Sequence, residues 1–249
     1  VRYRIIGRDA WIDTRETADD DPGRHDGLSP AEVRRARRAE LLRPTLRAAG
    51  ICGSGIIEVV GELLLAGLLT PKGRFTAYPH PRLRVSEDGK VEFVLAWAHE
   101  TSTDREIVVH SDDIRAVQLA KAALYAGTKL LMQRLGVQWP DVQGTARIVL
   151  AGGFGSYIDP KHAMILGLIP DCALGHVRAV GNAAGDGARM MLLDHRLRAE
   201  ADWAARWVTY VETAGEETFQ EEFVAALPFP HSVDEFPHVA ALMASAQAH

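Results

Sequence analysis

The chain has 249 residues, of which 47% are hydrophobic and 24% are charged, and its formal net charge is −5 at pH 7. That composition is typical of a globular protein with a buried core, and the slight negative charge gives no electrostatic footprint for nucleic acid. Because no apolar run reaches the length of about 18 residues that spans a bilayer, and no signal peptide is recognisable, we expect a cytoplasmic protein that binds neither nucleic acid nor a membrane.

The first fifty residues combine a strand-like run at 3–6 with a charged stretch at 13–47, in which Asp, Arg, Pro and Gly are abundant. Ser29 and Glu32 have the spacing of a capping box, and Pro30 stands at the first helical position, so a short arginine-rich helix to about Leu42 is predicted. Its arginines suit either a docking patch for an acidic partner or a solvated insertion helix. The second interpretation is favoured because charge runs are usually solvated.

Apolar periodicity predicts two helices with a pair of strands between them over residues 50–136. Apolar residues recur at helical spacing from Ile56 to Leu68, which indicates a buried helix. The runs at 91–96 and 106–109 have the composition of neighbouring strands. A long helix then begins after the capping residue Ser111 and ends at Gly136. The predicted apolar face of this helix comprises Ile114, Val117, Ala120, Leu124, Leu131 and Leu135.

Strands and helices alternate in the second half. Residues 147–151 form a nearly continuous apolar run, the pattern of a strand covered on both faces, and a helix follows at about 160–166. A strand at 176–180 then precedes a small-residue helix that is predicted to run on to Val208. An amphipathic segment at 218–227 and a tail at 231–249 complete the chain. This order of elements predicts an α/β fold.

A glycine-rich turn directly follows the first of these two strands. It comprises Gly152, Gly153, Phe154, Gly155 and Ser156. Glycines remove side-chain bulk and accept positive φ angles, so backbone here can approach a flat ligand closely, and ligands of open α/β sheets bind at the carboxyl ends of strands. Adenine with ribose, or a phosphate at the helix N-terminus, would suit this turn. A tight turn without a ligand explains the segment equally well.

A second glycine-rich segment, 181–188, follows the strand at 176–180. Gly181 opens it, Asn182 is a good helix N-cap, and Asp186 lies in the first helical turn. Each glycine in a helix costs about 1 kcal/mol relative to alanine, which points to close approach by a ligand or by another backbone. Direct ligand contact and close helix packing are both compatible with this pattern.

The N-terminus of the buried helix is the third candidate segment, with Gly53, Ser54 and Gly55. Its amides and serine hydroxyl suit an anion, but the lysine of a phosphate-binding P-loop is missing. Cys52 would be either a reactive thiol of low pKa at the helix end or a buried structural cysteine, and we favour the structural role. With only Cys52 and Cys172 in the chain, neither an iron–sulfur cluster nor a four-cysteine zinc site can form, so free thiols and no metal site are predicted.

These segments together resemble the reductive activators of corrinoid-dependent methyltransferase systems. The matching stretches are GICGSGII at 50–57, GRF at 73–75, DDIRAVQLAKAA at 112–123, AGGFGSYID at 151–159, GLIP at 167–170 and GNAAGDGA at 181–188. Their order and spacing agree from about 50 to 230, which makes the resemblance more specific than one glycine motif. The 13–47 stretch departs from the family pattern and is interpreted as an insertion.

The resemblance implies an RNase H-like, actin-like ATPase fold with a mixed sheet flanked by helices, in which residues 1–230 form the C-terminal lobe and 231–249 a tail. It implies Mg-ATP as ligand and a corrinoid protein as partner, and it leaves a homodimer open. Gly152 to Gly155 would hold the adenosine, and 181–188 would be the adjoining helix. Family members carry a [2Fe–2S] domain and two phosphate-binding motifs upstream. Neither is present here, so we expect a piece of a longer protein.

ATP is expected to drive reduction of the Co(II) corrinoid protein to Co(I) in the complete protein. Catalytic residues are not assigned. Of the polar residues near the predicted cleft, Ser54 and Asp186 are the candidates for a role there. Two other functions fit the same fold: a sugar or acyl-phosphate kinase, and a lobe that docks partners without catalysis.

Overall fold

A computed structural model describes residues 2–3, 12–13, 47–137 and 147–247. The interior of the 13–47 insertion and its predicted arginine-rich helix lie outside these residues. The chain divides into two compact units, the first with residues 1–51 and 79–110 and the second with residues 52–78 and 111–249.

The first unit contains two small antiparallel sheets. Strands β1 (Arg2–Tyr3) and β2 (Ile12–Asp13) form a short pair, and β3 (Leu83–Val85), β4 (Val91–Ala96) and β5 (Ile107–His110) form a sheet in that order. Burial alternates along β4, so one face of this sheet is covered. The strand pair predicted at 91–96 and 106–109 is therefore confirmed.

The second unit begins with a buried helical pair. Helix α1 (Gly53–Leu65) packs against α3 (Pro160–Leu166), and apolar residues of both helices are buried. Asp159 caps α3 by accepting a hydrogen bond from the Lys161 amide at 2.8 Å, and Gly167 ends it with φ 74°. Both helices lie where the sequence predicts them.

Helix α2 (Ser111–Arg134) has the predicted extent but buries a different face. Leu124, Leu131 and Leu135 of the predicted face are exposed, whereas Gln118, Lys121 and Tyr125 are buried. The buried polar groups bond to the chain at 227–234: Gln118 Nε2 donates to Leu227 O, Lys121 Nζ to Pro228 O and Pro230 O, and Tyr125 Oη to Asp234 Oδ2. Ile114 of the predicted face is buried as expected, but these hydrogen bonds place polar side chains, rather than Leu124, Leu131 and Leu135, on the covered side of α2.

Strands β6 (Ile148–Leu150) and β7 (Val177–Ala179) form a parallel pair. Both strands were predicted, but the expectation that the first is covered on both faces is wrong, since Val149 is 56% exposed. The predicted small-residue helix breaks at Asp194 into α4 (Ala183–Leu193) and α5 (His195–Trp207), because Asp194 Oδ1 accepts a hydrogen bond from the Arg196 amide and starts a new helix. Neither helix buries a residue against the described part of the chain.

Two helices complete the second unit. Helix α6 (Phe219–Ala225) packs on α2, and α7 (Pro237–Gln247) lies within the predicted tail. The fully buried carboxylate of Asp171 accepts hydrogen bonds from the amides of His238 and Val239, both at 3.1 Å, at the start of α7. No helix of the described residues is both long enough and apolar enough to cross a membrane.

Candidate functional site

The two glycine-rich turns meet at the carboxyl ends of β6 and β7. The parallel ladder continues past the strands, with the Val180 amide donating to Leu150 O at 3.0 Å. One step further, the Gly152 amide donates to Gly181 O at 2.7 Å. The structure therefore joins two segments that are about thirty residues apart in the sequence, as expected for neighbouring parallel strands.

Three of these glycines form an open backbone surface, which we call the glycine ledge: Gly152, Gly153 and Gly181. Gly152 has φ 101° and Gly181 has φ 75°, conformations that favour glycine. A Cβ placed on any of the three would have no described atom within 4 Å. Gly155 is different, because its Cβ would lie 3.1 Å from Ala151 O, so this glycine serves the turn itself.

The polar side chains beside the ledge bond mainly to their own turns. Ser156 Oγ donates to Gly152 O at 3.0 Å, and Asn182 Oδ1 accepts from the Gly185 amide at 3.1 Å. Asn182 is thus the predicted N-cap of α4. Asp186, in the first turn of α4, forms an exposed ion pair with Arg189 at 3.1 Å.

The N-terminus of α1 reaches the first glycine turn through Phe154. A Cβ on Gly53 would lie 2.8 Å from Phe154 Cε2, so the ring packs directly on the glycine backbone. Nothing in the sequence pattern signals this contact, because 101 positions separate the two residues. All three predicted glycine segments consequently belong to one region of the second unit.

Cys52 is exposed, so the expectation of a buried structural cysteine is wrong, although it and the buried Cys172 are free thiols as predicted. Its sulfur caps α1: Sγ accepts from the Gly55 amide at 3.3 Å and lies 3.2 Å from Ser54 Oγ. Partial burial acts to raise the pKa of Cys52, but these hydrogen bonds outweigh it and hold the pKa below its ordinary value. Ser54 is itself buried and bonds towards Cys52.

The arrangement of the glycine ledge and its neighbouring side chains suits the binding of a ligand better than catalysis. The ledge offers bare backbone to a flat group such as a purine nucleoside, with the half-exposed ring of Phe154 beside it. Within the described ranges, no group of three or more His, Cys, Asp or Glu side chains is placed to hold a metal ion.

Comparison with known proteins assigns the chain to a family. The family described as the C-terminal domain of RACo, the ASKHA domain, matches residues 1–240. The chain belongs to this family. It is an actin-like α/β domain, as the resemblance implied, whereas the order of elements had predicted only the α/β class.

Two longer proteins are similar to this chain. The corrinoid activation enzyme RamQ of Eubacterium limosum is 35% identical over 191 residues, which are 74% of this chain and 32% of that enzyme. A solved structure of a reductive activator for corrinoid, iron–sulfur protein is 37% identical, with a TM-score of 0.69 over 75% of this chain and 29% of its own. This ASKHA domain thus spans about a third of the length of these relatives.

Proposed function

We propose that this ASKHA domain is the adenosine-binding part of an ATP-dependent reductive activator of a corrinoid protein. The observation that carries the proposal is the glycine ledge, a side-chain-free surface at the carboxyl ends of two parallel strands, where ligands of open α/β sheets bind. Membership of the family and the names of the two relatives support the corrinoid protein as partner.

In the proposed reaction the Co(II) corrinoid takes up one electron and becomes Co(I), and an iron–sulfur centre held by a separate domain of the complete protein would supply that electron. ATP, bound with Mg²⁺, is hydrolysed to ADP and phosphate and supplies the free energy that the unfavourable electron transfer needs. The residues of this domain bind and orient the adenosine. The groups that grip the phosphates and activate water belong, in this proposal, to other segments of the complete protein.

A single substitution on the ledge is designed to block ATP binding while leaving the fold intact. Gly153 has no positive φ and its Cβ position is open, so Gly153→Val fills the ledge without straining the backbone. The matched control is Gly175→Val, an equally open position in the 3₁₀ turn before β7, at the opposite end of that strand from the ledge. Both variants should fold with equal stability.

The experiment measures ATP binding by calorimetry and Co(I) formation by absorbance, with full-length protein and its corrinoid partner. We expect Gly153→Val to lose ATP binding and ATP-dependent Co(I) formation by at least about tenfold, and Gly175→Val to keep both. Tight ATP binding by Gly153→Val would refute the ledge as the adenosine site. ATP binding followed by phosphorylation of a small substrate, without Co(I), would instead indicate a kinase.

A further inference from the structure

Phe154 connects the ledge to another element of the second unit. One side of its ring, at Cδ2, Cε2 and Cζ, lies against the backbone of Gly53, the first residue of α1. The residue is nevertheless 54% exposed. Phe154 follows Gly152 and Gly153 directly in the chain. Its aromatic ring therefore lies next to the ledge, and one edge of the ring contacts Gly53.

The half-exposed ring of Phe154 presents apolar surface that a bound ligand can cover. Offset stacking on a flat partner adds a favourable contribution beyond the burial of area, and a purine offers a larger stacking surface than a pyrimidine. The absence of a side chain at Gly53 leaves room for the Phe154 ring, because a Cβ there would collide with it. The contact therefore limits the positions that the ring can take before a ligand arrives.

We propose that Phe154 is a specificity-determining residue of the nucleotide site, whose ring stacks on the purine base and joins the bound base to the N-terminal turn of α1 through Gly53. The inference rests on the proposed function, since it requires an adenine nucleotide on the glycine ledge. It adds the selection of purines over pyrimidines and a contact by which α1 responds to the nucleotide.

The first test compares the binding of ATP and CTP to full-length protein. Phe154→Ala should weaken ATP binding by about tenfold, the size expected from loss of one base–aromatic stack, while CTP binding changes much less. Phe154→Leu, which keeps apolar bulk, should also lose the preference for purine. The matched control is Tyr157→Ala, which removes an aromatic residue of similar exposure from the same turn and should change neither affinity.

The second test uses Gly53→Ala in a double-mutant cycle. The new methyl group must push the Phe154 ring aside, which a side chain half in solvent can accommodate, so the protein still folds. Gly53→Ala should weaken ATP binding in the unaltered protein and have no added effect in Phe154→Ala. Equal effects in both backgrounds would show that Gly53 acts independently of the ring, and would overturn the coupling.

Cys52 provides a readout at the start of α1, because its exposed sulfur caps that helix while Cys172 is buried. ATP should slow alkylation of Cys52 in the unaltered protein and in Tyr157→Ala, but not in Phe154→Ala. The inference fails if the unaltered protein binds ATP and both Phe154 variants bind it as tightly and as selectively. Absence of ATP binding by the unaltered protein would refute the proposed function itself, and with it this role of Phe154.

Discussion

His162 lies between two carboxylates of neighbouring elements in the second unit. Its Nε2 is 2.6 Å from Glu62 Oε1 on α1, and its Nδ1 is 3.2 Å from Asp159 Oδ2, close enough for an ion pair but without hydrogen-bond alignment. Burial acts to lower the pKa of His162, yet Asp159 and Glu62 outweigh it and raise the pKa above its ordinary 6.5. The imidazolium thus links α1 to the cap of α3.

This geometry predicts a pH-dependent contribution to stability. Because the folded-state pKa is raised, the stabilisation is fully present below about pH 6.5 and is lost as the pH rises through the folded value. Urea unfolding should show that His162→Gln costs about 1 kcal/mol more at pH 6 than at pH 9. The unaltered protein, unfolded at both pH values, is the reference for each difference. The same cost for His162→Gln at both pH values would contradict the ion-pair account.

At the scale of elements, α2 holds the 227–234 segment through a row of polar side chains rather than through leucines. Lys121 is fully buried, which lowers the pKa of its amino group to about 7, and Nζ donates to Pro228 O at 2.7 Å and to Pro230 O at 2.6 Å. Lys129 Nζ lies 2.9 Å from Asp234 and 2.8 Å from Glu222 of α6. This polar row attaches the segment to α2 and α6.

Removing the buried amino group of Lys121 should therefore destabilise the second unit strongly. Lys121→Met keeps the apolar stem but leaves two partly buried carbonyls without this donor, so we expect a loss of about 3 kcal/mol in the free energy of unfolding. Lys72→Met changes an exposed lysine and should stay within about 0.5 kcal/mol. Denaturant midpoints measure both. Equal midpoints for the two variants would show that the lysine contributes nothing there.

The sequence was informative where local patterns dominate. Apolar spacing located α1, the β4–β5 pair and the span of α2, and glycines after strands located the turns that meet at the ledge. It was not informative where groups distant in the sequence determine the structure. The buried side of α2 depends on carbonyls more than a hundred residues away, and no local sequence pattern indicates the contact between Phe154 and Gly53. The exposure of Val149 likewise depends on what covers the strand, which β-propensity does not specify.

At the scale of the whole molecule, the proposed function makes this domain one part of a nucleotide site. We expect it to hydrolyse ATP weakly or not at all when produced alone, because the proposed function assigns the groups that bind the phosphates to other segments of the complete protein. A phosphate-release assay with the isolated domain, beside the full-length protein as positive control, measures this. Robust turnover by the domain alone would show that the phosphate site has been placed in the wrong part of the protein.

The glycine ledge as the adenosine site is the central claim, and hydrogen–deuterium exchange tests it most directly. Exchange would be followed in peptides covering 150–156 and 180–186 of the full-length protein, with and without saturating ATP. Slower exchange in both peptides together is the predicted result, because Gly152 and Gly181 are hydrogen-bonded neighbours under one ligand. Protection elsewhere in the protein, with both peptides unchanged, would contradict it.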